Sequence, residues 1–186
     1  PWWNNAAKVN YTNLLDMTVD GMNAGRPQTY SPSFVNYVDG VYMGYKFYET
    51  AHDIGMEGFD YDKVVQFPFG HGLSYTTFSY EMGELKEENG NLTVEVTVTN
   101  TGDVAGKEVV GIYFNPPYTE GGIEKATANL IEFDKTKTLE PGASETLSIT
   151  FAIEDMASYD YLVNKAYVLE KGEYVITART DSHTIV

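Results

Sequence analysis

The chain has 186 residues, 42% of them hydrophobic and 21% charged, and its twelve Lys and Arg against 27 Asp and Glu leave a formal charge of −15. That balance suits a globular chain with a buried core and repels phosphate backbones and anionic headgroups, so neither nucleic acid nor a membrane surface is an expected partner. The absence of cysteine excludes disulfides, thiolate nucleophiles and thiolate metal sites, and no run reaches the roughly 20 apolar residues that a membrane span needs.

Residues 1–36 carry no complete repeating pattern, and the chain opens at Pro1, so any leader is expected upstream. Residues 37–51 are dense in aromatics that fit neither a 3.6 nor a 2.0 period, which predicts a short strand or loop running into a helix. So short a helix is marginal alone and needs a body to pack on. Its aromatics Tyr42, Tyr45, Phe47 and Tyr48 therefore predict an apolar patch left exposed in the chain by itself. A turn-rich hinge follows, Phe67-Pro68-Phe69-Gly70-His71-Gly72-Leu73-Ser74-Tyr75.

Beyond the hinge, residues 77–84 are expected to open a sheet. Strict alternation in Leu92-Thr93-Val94-Glu95-Val96-Thr97-Val98-Thr99 places Leu92, Val94, Val96 and Val98 on one buried face of a strand. Asn100-Thr101-Gly102-Asp103 supplies the next turn. A second strand is predicted over residues 107–114, ended by Pro116-Pro117, which cannot continue a ladder. Further strands are predicted over 130–133, 145–151 and 174–179, with turns at Glu140-Pro141-Gly142 and Glu170-Lys171-Gly172. Short strands punctuated by Gly, Pro and Asn argue for a mainly β chain, a β-sandwich of immunoglobulin or fibronectin type III kind, with a barrel as the alternative. Residues 1–76 read as an incomplete α/β remnant with its linker, and residues 77–186 as the sandwich.

The polar residues do not assemble into a site. Glu57, Asp60 and Asp62 are close in sequence, as are Glu84, Glu87 and Glu88, and both groups read as solvated acidic loops rather than calcium ligands or a catalytic pair. Glu154 and Asp155 read as another surface turn. His52, His71 and His183 lack ligand-like spacing. No catalytic, cofactor-binding or metal-ligating residue is expected, no cofactor is implied, and substrate-binding residues stay unassigned. Asn10-Tyr11-Thr12 and Asn91-Leu92-Thr93 fit the glycan acceptor pattern, which matters only in a secretory host. Most of the 15 tyrosines are expected at core edges and at a domain seam, where an apolar body with a polar tip fits. Trp2, Trp3, Tyr113, Tyr118, Tyr159 and Tyr161 are the aromatics expected to be exposed and able to stack on a sugar ring. The Gly- and Pro-bearing loop 116–122 is expected to reach toward a neighbouring domain.

Three stretches in order carry a resemblance. Residues 37–49 resemble the tyrosine-rich element near the end of the second domain of family-three glycoside hydrolases, the β-glucosidase and β-xylosidase group. Residues 67–75 resemble the linker from that domain into the family's fibronectin type III-like domain. Val98-Thr99-Asn100-Thr101-Gly102, Gly106-Lys107-Glu108-Val109-Val110, Pro141-Gly142 and Gly172-Glu173-Tyr174 follow in that domain's order. Many relatives have Glu at Asp39, Arg at Lys46 and Tyr at His71. Lysine there offers a single-point contact in place of the bidentate pair that Arg would make.

The resemblance implies a retaining hydrolase of β-linked sugars whose Asp nucleophile lies on a barrel and whose Glu acid/base commonly lies before the tyrosine-rich element. Both carboxylates would fall outside this chain, and such chemistry needs the two about 5–5.5 Å apart. The chain then reads as a non-catalytic accessory part of a larger enzyme, inactive alone, whose partners are the catalytic domains of the same polypeptide and, through them, the carbohydrate substrate. The alternative is an independent carbohydrate-binding or structural immunoglobulin-like module.

Overall fold

The alternation in residues 91–100 becomes the central strand of the computed structural model, which describes residues 40–186 fully and, before them, only the backbone of residues 11–13 and 33–35. In chain order the elements are β1 (Tyr11–Asn13), β2 (Ser33–Val35), α1 (Tyr45–Asp53), α2 (Tyr61–Val64), β3 (Phe78–Met82), β4 (Lys86–Glu88) and β5 (Asn91–Asn100). They continue with β6 (Val109–Asn115), β7 (Asn129–Lys135), β8 (Ser144–Ala152), a 3-10 turn (Ile153–Met156), β9 (Ser158–Asp160), β10 (Ala166–Val168) and β11 (Val175–Arg179). β1 and β2 pair antiparallel with each other.

Two antiparallel sheets make the body. In the first, β5 pairs along nearly its whole length with β8 on one edge, while β3 and then β4 share its other edge. Gly83 bridges these two pieces, its N–H donating to the Glu95 carbonyl. In the second, β6 lies between β11 and β7. The inner faces meet in one core. Val94, Val96 and Val98 come from β5, Leu147, Ile149 and Phe151 from β8, and Val110, Ile112 and Phe114 from β6, with Leu139, Met156 and Ala178 closing it. Leu92, predicted on the same face, is only half-buried. The outer face of β5 carries hydroxyls that meet their partners on β8: Thr93 with Thr150 at 2.8 Å, Thr97 with Thr146 at 2.9 Å and Thr99 with Ser144 at 2.7 Å. Cross-strand pairs of this kind fix register where no packing does.

One strand breaks the inside-outside rule. Every residue from Val110 to Phe114 is buried, so β6 is covered on both faces. The second cover is α1 with the linker. Tyr113, expected at the surface, is 3% exposed, because the Tyr45 ring meets it edge-on at 6.2 Å and the Arg179 guanidinium sits 5.2 Å from its ring centre. The patch expected around α1 is likewise absent as an open face. Tyr42, Tyr45, Phe47 and Tyr48 are half-buried, since the helix uses the sandwich as its body.

The Asn100-Thr101-Gly102 motif has a physical role beyond a turn. The Asn100 side chain is fully buried. Its amide donates to the carbonyls of Val104 and Leu139, both at 2.8 Å, and its Oδ1 accepts from Thr76 Oγ1 at 2.6 Å and Gly102 N–H at 3.1 Å. The motif thereby ties the end of the linker to β5 and to the Leu139 segment. A Cβ on Gly102 would come within 2.9 Å of the Thr77 nitrogen, so only glycine permits the approach.

Candidate functional site

The most constrained polar cluster joins three segments far apart in sequence: α1, the linker and the C-terminal tail. Glu49, on the face of α1 turned toward the sandwich, is 1% exposed. Its Oε1 accepts from the Tyr61 hydroxyl at 2.5 Å and from the Ser182 hydroxyl at 2.9 Å, and its Oε2 lies 2.9 Å from His183 Nδ1. Three donors replace the water that a buried carboxylate gives up. The Tyr61 ring stacks on His183 at 4.0 Å, and His52 meets His183 at 4.9 Å. Burial, reinforced by the Glu49 carboxylate, holds the Tyr61 hydroxyl far above its ordinary pKa.

The linker is strapped to the same tail. Ser182 N–H donates to the Phe69 carbonyl at 2.8 Å and Phe69 N–H to Ser182 Oγ at 3.2 Å. The Phe69 ring stacks on Tyr45 at 4.9 Å. Gly70, at φ +90°, crosses so near Asp181 that a Cβ would stand 3.3 Å from its Cα. Arg179 completes the strap by donating to the Ser182 carbonyl at 2.6 Å. Farther along, Leu73 and Tyr75 stand out at 95% and 98% exposed.

Ser182, His183 and Glu49 are the residue types of a nucleophilic triad, but they are wired differently. Both donors hang on the carboxylate, with Ser182 and His183 on its two oxygens, and Ser182 is wholly buried. A triad needs the imidazole to accept from an accessible hydroxyl. This arrangement is a clamp. Additional latches run along the helix: Tyr42 to Glu124 at 2.5 Å, the Tyr45 hydroxyl accepting from Leu130 N–H at 3.0 Å, Thr50 accepting from Thr127 N–H at 3.0 Å, and Thr127 donating to Asp53 at 2.5 Å.

Sequence spacing separated His52 from His183, and the fold brings them together at the clamp, while His71 lies apart, stacked on Phe67 at 4.9 Å. Nothing in spacing announced Glu49; the available signal was an acid among apolar neighbours on a short helix. Of the acidic groups, Asp60 pairs with Lys63 at 2.6 Å on the surface, and Glu87 and Glu88 lie exposed on β4. Among the described residues no group of three His, Asp or Glu is placed to hold a metal ion. Lys46 makes no ion pair with a described residue. Tyr118, Tyr159 and Tyr161 are exposed as expected. Trp2, Trp3, Asp39 and the Asn10 acceptor lie outside the described residues. In loop 116–122 the Pro117 carbonyl is held by the Lys125 ammonium at 2.5 Å, and that ammonium also pairs with Glu170.

Residues 108–182 match the family model of the fibronectin type III-like domain. The chain is 38% identical over 159 residues to β-glucosidase A of Butyrivibrio fibrisolvens, an alignment that takes in 76% of this chain and 18% of that protein. It is 32% identical over 166 residues to a β-glucosidase of Kluyveromyces marxianus, covering 84% of this chain and 18% of the relative. Among solved structures it superposes on β-glucosidase 3B of Thermotoga neapolitana with a TM-score of 0.69 at 35% identity, over 83% of this chain and 20% of the other. A GH3 β-glucosidase of Bifidobacterium adolescentis gives a TM-score of 0.71 at 28% identity, covering 98% of this chain and 23% of that one. The chain thus spans about a fifth of the length of the relatives it matches.

Proposed function

Since the chain belongs to the family-three glycoside hydrolases, as a portion that carries their fibronectin type III-like domain, we propose that it is the non-catalytic brace of a retaining β-glucosidase. The brace would hold the tyrosine-rich helix of the neighbouring domain at a fixed angle to the sandwich. The observation that carries this reading is the Glu49 clamp, which locks α1, linker and tail into one body through a buried, fully partnered carboxylate. A free-standing module has no need of a helix so secured. We propose the division between remnant and sandwich at residues 76 and 77, where the linker ends on Asn100 and β3 begins, with α1 serving as the joint between the two. The catalytic domains of the same polypeptide would dock along the linker, where the exposed Leu73 and Tyr75 suit a contact with them.

The test has two arms. The chain alone, mixed with an aryl β-glucoside, is expected to give no turnover above buffer, and turnover abolished by substituting one of its own carboxylates would sink the proposal. In the parent enzyme, Glu49→Ala is expected to lower the temperature of inactivation while leaving KM for the same glucoside unchanged. A raised KM with unchanged thermal stability would assign Glu49 to substrate binding instead.

A further inference from the structure

Near the start of α1 lies a second feature, distinct from the Glu49 clamp. A cleft of about 280 Å³ opens between the start of α1, the segment leading into β7, and the β9–β10 hairpin. Lys46, Glu124, Asp155, Tyr159 and Tyr167 are among its lining residues. A shallower groove of about 500 Å³ adjoins it, sharing Asp155, Ala157 and Tyr167. Together they make a trough longer than a single ring, with Tyr167 at the junction.

The aromatics are presented and not merely exposed. Tyr167 is 75% and Tyr159 42% exposed, and their rings stand edge to face at 5.3 Å and 64°. The hairpin that carries them is set by Asp160, whose carboxylate accepts from the N–H groups of Leu162, Val163 and Asn164, each at 3.0 Å, and from the Asn164 side-chain amide at 2.8 Å. Stacking surfaces held in place before binding lose little entropy on binding. The polar groups are complementary to hydroxyls. Glu124 spends one oxygen on Tyr42, Asp155 makes no ion pair with a described residue, and the half-buried Lys46 ammonium has no carboxylate partner among the described residues. A donor without an acceptor, acceptors with free lone pairs and flat apolar faces in one trough fit a neutral polyol ring.

We infer that this trough is a binding site for a neutral β-linked gluco-oligosaccharide, with Tyr167 and Tyr159 as the stacking platform and Lys46, Glu124 and Asp155 as hydroxyl partners. Equatorial hydroxyls leave both faces of a glucopyranose ring apolar, which is what a flat tyrosine ring contacts best. Lys46 and Lys125 balance Glu124 and Asp155 within the cleft, so it is the net charge of −15 that disfavours uronic acids by like-charge repulsion. The inference is separate from the bracing role, for none of Lys46, Glu124, Asp155, Tyr159 and Tyr167 touches the Glu49 carboxylate.

Titration calorimetry of the 186-residue chain with β-1,4-linked and β-1,3-linked glucotetraose tests it, with a β-linked glucuronate tetramer as the charged counterpart. At least one glucotetraose is expected to bind saturably with Kd of about 1 mM or tighter. Tyr167→Ala is expected to weaken it about tenfold, the worth of one stacking face. Lys46→Met is expected to weaken it several-fold, and circular dichroism of each variant reports whether the fold is kept. Absence of saturable binding by either glucotetraose up to about 10 mM would overturn the inference, as would an affinity unmoved by both substitutions. Equal or tighter binding of the glucuronate tetramer would overturn the neutral assignment.

Discussion

Two buried side chains hold segments that the sequence keeps far apart, and each makes its contribution through satisfied hydrogen bonds rather than through apolar area. Glu49 is an ionisable group with 1% exposure, tolerable only because Tyr61, Ser182 and His183 all face it. Glu49→Ala leaves three donors without an acceptor and is expected to lower the unfolding free energy by about 3 kcal/mol. Glu49→Gln keeps an acceptor for Tyr61 and Ser182 and is expected to lose only about 1–2 kcal/mol. Urea titration of both variants checks the order, and equal losses would mean that the site is held by shape alone. Asn100 works the same way on the other end of the linker. Asn100→Ala removes the bonds to the carbonyls of Val104 and Leu139 and leaves the Thr76 hydroxyl and Gly102 N–H without their acceptor, and is expected to cost about 2–3 kcal/mol. Its loss should add to that of Glu49→Ala within about 0.5 kcal/mol, since the two share no hydrogen-bond partner.

Among the elements, the β9–β10 hairpin depends on one residue, because its turn is closed by the Asp160 carboxylate and, among the described residues, its two short strands pair only with each other. The backbone amides of Val163 and Asn164, followed by that of Leu162, hold the Asp160 carboxyl below the usual carboxylate range. A depressed pKa means that the ordering is complete above the ordinary value of about 4 and is lost as pH falls through the lower, folded value. The amide resonances of Leu162, Val163 and Asn164 are therefore expected to stay fixed down to about pH 4 and to move only below it. In Asp160→Asn that acid transition is expected to vanish, and movement of these amides near neutral pH would refute the assignment. This hairpin was also among the elements that sequence patterns concealed. Glu154 and Asp155 with residues 156–161 read as a surface turn and residues 162–168 carried no predicted element, since two three-residue strands have too few positions to show a period. β4 escaped notice for another reason, as Lys86-Glu87-Glu88 is exposed throughout and pairs with β5 through its backbone and one surface ion pair, Lys86 to Glu95 at 3.7 Å, with no buried face to leave a pattern. By contrast β5 and β8 were legible to within a residue or two, because each buries one face and alternation is the direct record of that. Tyr113 was misplaced although Val109-Val110-Gly111-Ile112-Tyr113-Phe114 is a continuous apolar run, the pattern of a strand covered on both faces, and the cover on its side is α1. The clamp was invisible for a related cause: Glu49 and His183 stand 134 residues apart, and no local pattern encodes a meeting at that distance.

Across the whole molecule, tyrosine hydroxyls are the groups whose titration reports global unfolding. Tyr61 and Tyr113 are nearly fully buried, and burial is the leading cause that raises both hydroxyls far above their ordinary pKa of 10.0, followed by the hydrogen bond to Glu49 for Tyr61 and the charge of Tyr45 for Tyr113. Tyr42 and Tyr80 are shifted the same way, again through burial first. A raised folded pKa means that the stabilising contribution is complete below the unfolded value and is lost as pH rises toward the folded one. The unfolded chain gives up protons that the folded one retains. Above pH of about 10 each fully protected tyrosine removes about 1.4 kcal/mol of stability per pH unit, so Tyr61 and Tyr113 together set a slope of about 2.7 kcal/mol per unit. Every tyrosinate formed also adds to a charge already at −15, which steepens the decline. Because β6 is packed on both faces, helix, linker and sandwich are expected to come apart in a single transition. Urea denaturation is therefore expected to give a stability that is level between about pH 8 and 9 and falls steeply beyond about 10, with the ring resonances of Tyr61 and Tyr113 shifting only as the protein unfolds. Tyr113→Phe is expected to remove about 1.4 kcal/mol per pH unit from that slope, since its ring packing survives while the titrating hydroxyl is gone. Ionisation of Tyr113 at constant circular dichroism, followed by the resonances of its own ring, would mean that its hydroxyl reaches water in the folded protein, and the two-sided burial of β6 would then be wrong.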